Sequence, residues 1–144
     1  MAAESGVVLI VDGAVEHNLK LSLSDLARFP RQSVRATDEV GKESLFDGVL
    51  VAEILKSAGV TFGRELRGKK LADYLLVETR DGYRVVFALP EFDASFKQNL
   101  VLVAHTRDGG PLTESDGQLR LIIPSEKRYA RWVRHLVALH VAHA

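Results

Sequence analysis

Short apolar runs separated by turn residues recur along this 144-residue chain, and their density constrains the fold more than any other feature. Runs rich in Val, Ile and Leu predict β-strands, and tight turns such as Asp81-Gly82 predict hairpins between them. The predicted strands are Val7–Val11, Leu19–Leu23, Ser33–Thr37, Ser44–Phe46, Leu75–Thr79, Tyr83–Ala88, Leu100–Ala104, Leu119–Ile123 and Leu136–Val141.

One segment, Val49–Ala58, has the period of an amphipathic helix, with Gly59 at its C′ position. Shorter helical turns are predicted at Asp25–Arg28 (with Ser24 as N-cap), Pro90–Ser95 and Tyr129–Trp132. The predicted fold is therefore α+β. It is a single domain over residues 1–144, with a mixed, mainly antiparallel β core and the main helix packed on it.

Composition excludes several classes of function. The chain has no Cys, which excludes disulfides, thiolate zinc sites, iron–sulfur clusters and Cys nucleophiles. Nineteen basic residues balance nineteen acidic ones, so no global field attracts nucleic acid. No apolar run is long enough to span a bilayer, so we expect no membrane insertion. Glycine-rich phosphate loops and nucleophile elbows are absent from the sequence, and no catalytic residue is predicted.

The order of the segments resembles the molybdopterin-binding domain of sulfite oxidases and related oxidoreductases. The resemblance runs from about Val11 to Val141, through "LSLSDLARFP", "FDGVLVAEILKSAG", "DGYRVVFALPEF", "LVLVAHTRDGGPL", "LRLIIP" and "KRYARWVRHL". Its most specific parts are Asp81–Tyr83, the Gly-Pro-Leu turn ending at Leu112, and Pro124–Trp132. It implies the sulfite-oxidase-type fold and a pterin or molybdopterin cofactor.

The chain departs from this family at the metal ligand. In the enzymes that it resembles, a Cys just after the third strand binds molybdenum, whereas this chain has Asp38 or Glu39 near that position, in "SVRATDEVG". A carboxylate is a hard donor and a poor substitute for a thiolate on molybdenum, so we expect no molybdenum. The missing thiolate also argues against an enzyme.

Small relatives without this Cys resemble pterin-binding proteins of bacterial signalling, which work outside the cytoplasm with a membrane-protein partner. The resemblance therefore implies a non-catalytic pterin sensor or carrier that contacts a signalling protein. It also implies a periplasmic location if a leader has been removed, and a cytoplasmic one otherwise. Two alternatives remain open: an oxidoreductase domain whose metal is held by oxygen or partner ligands, and a protein-interaction scaffold without a ligand.

The predicted ligand site combines charged and aromatic side chains. The resemblance places the pterin and its phosphate near the basic segment after Pro124, where an Arg fork suits phosphate or carbonyl oxygens. The alternative for this segment is a solvated strand edge. A carboxylate at Asp38 suits the paired donors of a pterin ring, unless Asp38 is simply a polar loop residue. The predicted cofactor-binding residues are Asp38, Tyr83, Lys127, Arg128, Arg131 and Trp132.

The aromatic members of this set each have a structural alternative. Tyr83 is expected at the pocket rim or in cross-strand packing. Trp132 is expected to anchor the core or to stack on the ligand. The five histidines are too scattered to predict a metal site, because His135 and His140 differ by an odd number and face opposite sides of a regular strand.

Overall fold

The computed structural model describes residues 6–61, 68, 72–92, 100–126 and 128–143. The strands are β1 (Val7–Gly13), β2 (Leu19–Ser22), β3 (Gln32–Thr37), β4 (Glu43–Leu50), β5 (Tyr74–Thr79), β6 (Arg84–Ala88), β7 (Leu102–Arg107), β8 (Gly110–Pro111), β9 (Arg120–Ile122) and β10 (Leu136–Ala142). The helices are α1 (Leu23–Leu26) and α2 (Val51–Ser57), and there are 3-10 turns at Leu89–Phe92 and Tyr129–Arg131.

Two sheets organise the chain. The first has the order β2-β1-β10-β5-β6, and the second has the order β3-β4-β7-β8, with β9 also paired to β7. Among the described strand pairs, β1–β10 is parallel and the others are antiparallel. The predicted α+β class with a mixed, mainly antiparallel core is confirmed. No helix in this part of the chain is both long and apolar enough to cross a membrane.

Both sheets and α2 contribute to one apolar core. Leu9 and Val77 come from the first sheet, Phe46 and Val103 from the second, and all four are fully buried. Burial of such side chains supplies the main driving force for this arrangement. The helix predicted over Val49–Ala58 packs here as expected, and its inward face is buried.

The main helix begins later than the sequence pattern predicts. Val49 and Leu50 pair with β7 as the last residues of β4, so α2 starts at Val51. Apolar periodicity does not separate the end of a buried strand from the start of a buried helix face. The predicted C-terminal signal is confirmed, because Gly59 has a φ of 91°, which favours glycine.

The first helix has a different N-cap from the predicted Ser24. The Ser22 hydroxyl accepts a hydrogen bond from the Asp25 amide at 3.1 Å, and the Asp25 carboxylate accepts one from the Ser22 amide at 2.9 Å. This reciprocal capping box needs a carboxylate three residues after the cap. Counting from Ser24, that position is Ala27, so the helix starts two residues earlier than predicted.

The contribution of His140 on β10 to the stability of the first sheet is expected to depend on pH. Its Nδ1 pairs with Asp12 of β1, and its Nε2 lies 3.0 Å from Oε1 of Glu78 on β5. Burial lowers the pKa of His140, but the two carboxylates raise it by more, so the net pKa lies above the ordinary value. The protonated form therefore stabilises the fold. This contribution is complete below the pKa of an unfolded His, about 6.5, and is lost as the pH rises through the higher folded pKa.

We therefore expect the free energy of unfolding of the parent to fall by up to about 1 kcal/mol across this window, relative to His140→Gln. Urea unfolding at several pH values, from about 6 to about 8.5, measures the difference between the two proteins. Parallel pH profiles for the parent and the variant would refute this role of His140.

Candidate ligand-binding site

A cavity of about 630 Å³ opens beside the first sheet, within the size range of small-molecule sites. Three parts of the chain form it: the β3–β4 loop, the β5–β6 turn and the segments on either side of β9. Its lining includes Glu39, Asp81, Tyr83, Arg120, Trp132 and His135. The predicted hairpin turn at Asp81-Gly82 thus forms one wall, and Gly82 adopts the positive φ that this turn requires.

Aromatic side chains form a second wall. Trp132 is only 2% exposed, and its Nε1 donates to the Ile123 carbonyl at 2.9 Å. Tyr129 packs edge-on against it, with ring centroids 4.9 Å apart. Trp132 therefore anchors the core, as one of its two predicted roles requires, and it also lines the cavity. Tyr83 is about half exposed at the rim, and its hydroxyl donates to the Ala130 carbonyl at 3.3 Å.

A carboxylate held by two guanidinium groups lies at the cavity wall. The Glu39 carboxylate accepts hydrogen bonds from Arg120 at 2.7 Å and from Arg134 at 2.5 Å. Burial alone would raise the pKa of Glu39, but the hydrogen bonds outweigh it and hold the pKa below the ordinary value. Glu39 is therefore ionised at neutral pH, and its charge is already matched by its two partners.

Behind this wall lies a buried network of alternating charges. Arg107 donates to Asp38 at 2.5 Å and to Asp116 at 3.0 Å. Asp116 also accepts from Arg120 at 2.9 Å, and Arg120 reaches Glu39 at the cavity. Every buried side-chain nitrogen and oxygen in the described residues has a partner. The network therefore fixes the position of Arg120 by paired interactions rather than by packing alone.

Asp38 belongs to this network and does not line the cavity, so the predicted contact with a ligand is corrected. Its Oδ2 accepts from Arg107, and its Oδ1 accepts from the amides of Val40 and Lys42 at 3.0 and 2.9 Å. Burial would raise the pKa of Asp38, but these donors lower it below the ordinary value. The side chain has no free acceptor aimed at a ligand, and it closes the β3–β4 loop instead.

The predicted basic residues Arg128 and Arg131 do not line the cavity. Arg131 pairs with Glu126 at 2.9 Å and Glu91 at 3.2 Å, and its guanidinium stacks 3.8 Å from the centre of the Phe87 ring. Arg128 is exposed and is not part of the cavity lining. Lys127 lies outside the described residues. Of the six predicted residues, the structure brings Tyr83 and Trp132 to the cavity.

The cavity residues that were absent from the predicted set include Glu39, Arg120 and His135. Glu39 had a sequence signal, because it lies in the stretch where the resemblance places the missing Cys. Arg120 had none, since an Arg in a short strand usually faces solvent, whereas this one is 1% exposed. His135 precedes β10 rather than lying within it, so the strand alternation used for the histidines does not apply to it.

The donor set of this site suits an organic ligand better than a metal. Among the described residues, no three His, Asp or Glu side chains are grouped so as to hold a metal ion. Two arginines, Arg120 and Arg134, offer hydrogen-bond donors at the cavity wall. The aromatic side chains lie beside them, with the Arg120 guanidinium 5.7 Å from the centre of the Trp132 ring. A flat heterocycle with polar edges matches this combination of walls.

Comparison with known proteins places this geometry in a family. The chain is similar to "Uncharacterized oxidoreductase YuiH" of Bacillus subtilis strain 168, with 28% identity over 134 residues that cover 88% of this chain and 62% of that protein. It is also similar in structure to the sulfane dehydrogenase SoxCD of Paracoccus pantotrophus. The TM-score is 0.73 at 21% identity, and the match covers 93% of this chain and 37% of that one.

The chain thus spans less than two thirds of the length of either protein. The SoxCD likeness shows the fold, and it confirms the sulfite-oxidase-type fold expected from the order of the segments. Residues 3–144 match the family described as "Oxidoreductase molybdopterin binding domain". This protein therefore belongs to the family of oxidoreductase molybdopterin-binding domains.

Proposed function

We propose that this domain binds a pterin without catalytic molybdenum and acts as a sensor or carrier of that pterin. One observation carries the proposal. Glu39 lies in the stretch that corresponds to the family's metal-binding Cys, and its carboxylate is bound by Arg120 and Arg134 at the cavity wall. By this resemblance, the stretch that supplies a thiolate in the enzymes supplies an ion-pair cluster in this chain.

Molybdenum does not fit this donor set. The chain contains no thiolate, and the oxygen atoms of Glu39 and Asp38 are engaged by guanidinium groups. A carboxylate in such a pair would have to leave its partners to bind a metal, which would leave Arg120 without one of its charge partners. We therefore derive no redox step for this chain.

The organic part of the cofactor fits better. The edge-to-face pair of Tyr129 and Trp132 gives the cavity wall apolar surface for a flat ring, and the cavity volume of about 630 Å³ is sufficient for a bicyclic heterocycle. Arg134 is 43% exposed, so its guanidinium retains donors for a ligand carbonyl while it pairs with Glu39. A membrane signalling protein as partner and a periplasmic location complete the proposal, and both come from the resemblance to small pterin-binding proteins.

A second function is favoured by the comparisons. The Bacillus relative is named as an oxidoreductase and the Paracoccus protein as a sulfane dehydrogenase, so an oxidoreductase domain with oxygen or partner ligands is the competing proposal. A scaffold that binds no ligand is the third. The two proposals that involve a ligand differ in whether the purified protein contains the metal. The scaffold proposal differs from both because it expects no affinity for pterin.

Titration with pterin (2-amino-4-oxopteridine), followed by its fluorescence, tests the binding proposal. We expect saturable binding to the parent, and about tenfold weaker binding to Arg134→Ala, because the cavity loses a charged donor and the arrangement of Glu39 relaxes. Arg84→Ala is the matched control, since Arg84 is also an exposed arginine paired with one glutamate but does not line the cavity. No binding to the parent, or equal loss in both variants, would contradict the proposal.

A further inference from the structure

His135 has a positive φ, which is uncommon for a residue other than glycine. Its φ is 54°, and Asp108 is the other non-glycine residue with positive φ in the described part of the chain. Asp108 lies in the β7–β8 turn, where Asp is common in this region, and its carboxylate accepts from the Leu45 amide at 2.8 Å. His is also enriched at positive φ, but in the described residues the His135 side chain makes no hydrogen bond of this kind, so the conformation depends on the contacts of its backbone.

Two backbone hydrogen bonds hold His135 in this conformation. Its amide donates to the Asp116 carbonyl at 2.8 Å, and its carbonyl accepts from the Arg80 amide at 2.9 Å. The imidazole lies directly over Gly117, where an added Cβ would be 2.5 Å from Nδ1 and 2.8 Å from Cγ. Any larger residue at position 117 would displace the ring, so the surroundings specify where this imidazole lies.

The ring placed in this way lines the cavity near Asp81, with which it interacts electrostatically without a hydrogen bond. Within the described residues, neither nitrogen of His135 has a hydrogen-bond partner, whereas His140 and His143 each bind carboxylates. Nδ1 and Cγ lie against Gly117, so Nε2 is the nitrogen farther from that contact. A half-buried imidazole with an unused nitrogen at a cavity wall is suited to bind a ligand.

We propose that His135 is a specificity-determining residue of this site, whose Nε2 hydrogen-bonds to a heteroatom on the edge of the bound heterocycle. This inference rests on the proposed function, because it requires that the cavity bind a pterin. An imidazole offers a donor on one nitrogen and an acceptor on the other, and so it distinguishes a nitrogen heterocycle from an apolar ring of the same shape.

The test combines pterin affinity with thermal stability. His135→Gly and His135→Asn both tolerate positive φ, and we expect each to bind pterin about tenfold more weakly than the parent while its melting temperature stays the same or rises. Asp108→Asn is the control, because it changes the other positive-φ residue outside the cavity and should leave the affinity unchanged. A residue with only a structural role would show the opposite pattern, with lower stability and intact affinity.

A second readout uses the unmodified protein. In ¹⁵N spectra of the imidazoles, saturation with pterin should shift the His135 Nε2 resonance and leave that of His17 in place. If the parent binds pterin without this shift, or if the two His135 variants bind pterin as tightly as the parent, the role of His135 is refuted and the proposed function stands. Failure of the parent to bind pterin would overturn the proposed function, and this inference with it.

Discussion

Asp116→Asn is expected to lower the free energy of unfolding by about 3–5 kcal/mol, the range for removing one partner of a buried ion pair. Asp116 is 2% exposed and accepts from Arg107 at 3.0 Å and from Arg120 at 2.9 Å. An amide at this position would present a donor to one of the two guanidinium groups. It would also leave Arg107 with Asp38 and Arg120 with Glu39 as their remaining charge partners. Burial alone would raise the pKa of Asp116, but its hydrogen bonds from Thr113 and Arg107 keep it below the ordinary value.

Urea unfolding of the variant and the parent measures this loss. Glu53→Gln on α2 is the matched control, because it makes the same chemical change in an exposed pair with Lys56 and should cost less than about 1 kcal/mol. If Asp116→Asn lowers the free energy of unfolding by less than about 1 kcal/mol, the buried network contributes no more than a surface pair.

Trp132→Ala is expected to lower the free energy of unfolding by about 3–5 kcal/mol and to weaken pterin binding at least tenfold. The change leaves a void in the core beside the cavity and removes an aromatic face from its wall. It also leaves the Ile123 carbonyl without the donor that it now has at 2.9 Å. Both losses follow from one side chain that is buried on one side and lines the site on the other.

Trp132→Phe separates the two roles. Phe keeps an aromatic face but lacks Nε1, so we expect a loss of about 1–3 kcal/mol in stability, with most of the pterin affinity retained. Chemical unfolding and pterin titration of the same preparations measure both quantities. Retained affinity in Trp132→Ala would show that the ring serves the core alone.

Local signals predicted most of the fold. The helical face of α2, the positive φ at Gly59 and the turn at Asp81-Gly82 each depend on residues close in sequence, and the structure confirms them. The ends of strands that depend on pairing with a distant strand were harder to predict from the sequence. The extension of β4 to Leu50 depends on the pairing of Leu50 with Leu102 of β7, which the local sequence pattern does not reveal.

The site was less predictable than the fold, because its charges are paired over long sequence separations. The Arg131 side chain is of a type that often binds phosphate, yet it is paired with Glu91, 40 positions away. Asp38 is bound by Arg107, 69 positions away. Of the predicted residues, Tyr83 and Trp132 do line the cavity. Partners of the charged residues follow only from the three-dimensional structure.

Whether the domain binds a pterin without molybdenum is tested most directly on the natively purified protein. Pterin and molybdenum released from it are quantified in the same extract. We expect pterin fluorescence in the extract without a stoichiometric amount of molybdenum, because the chain has no thiolate and the Glu39 carboxylate is already paired with two arginines. About one molybdenum per chain would contradict this expectation, because the metal would then be held by ligands that this ion-pair cluster does not provide.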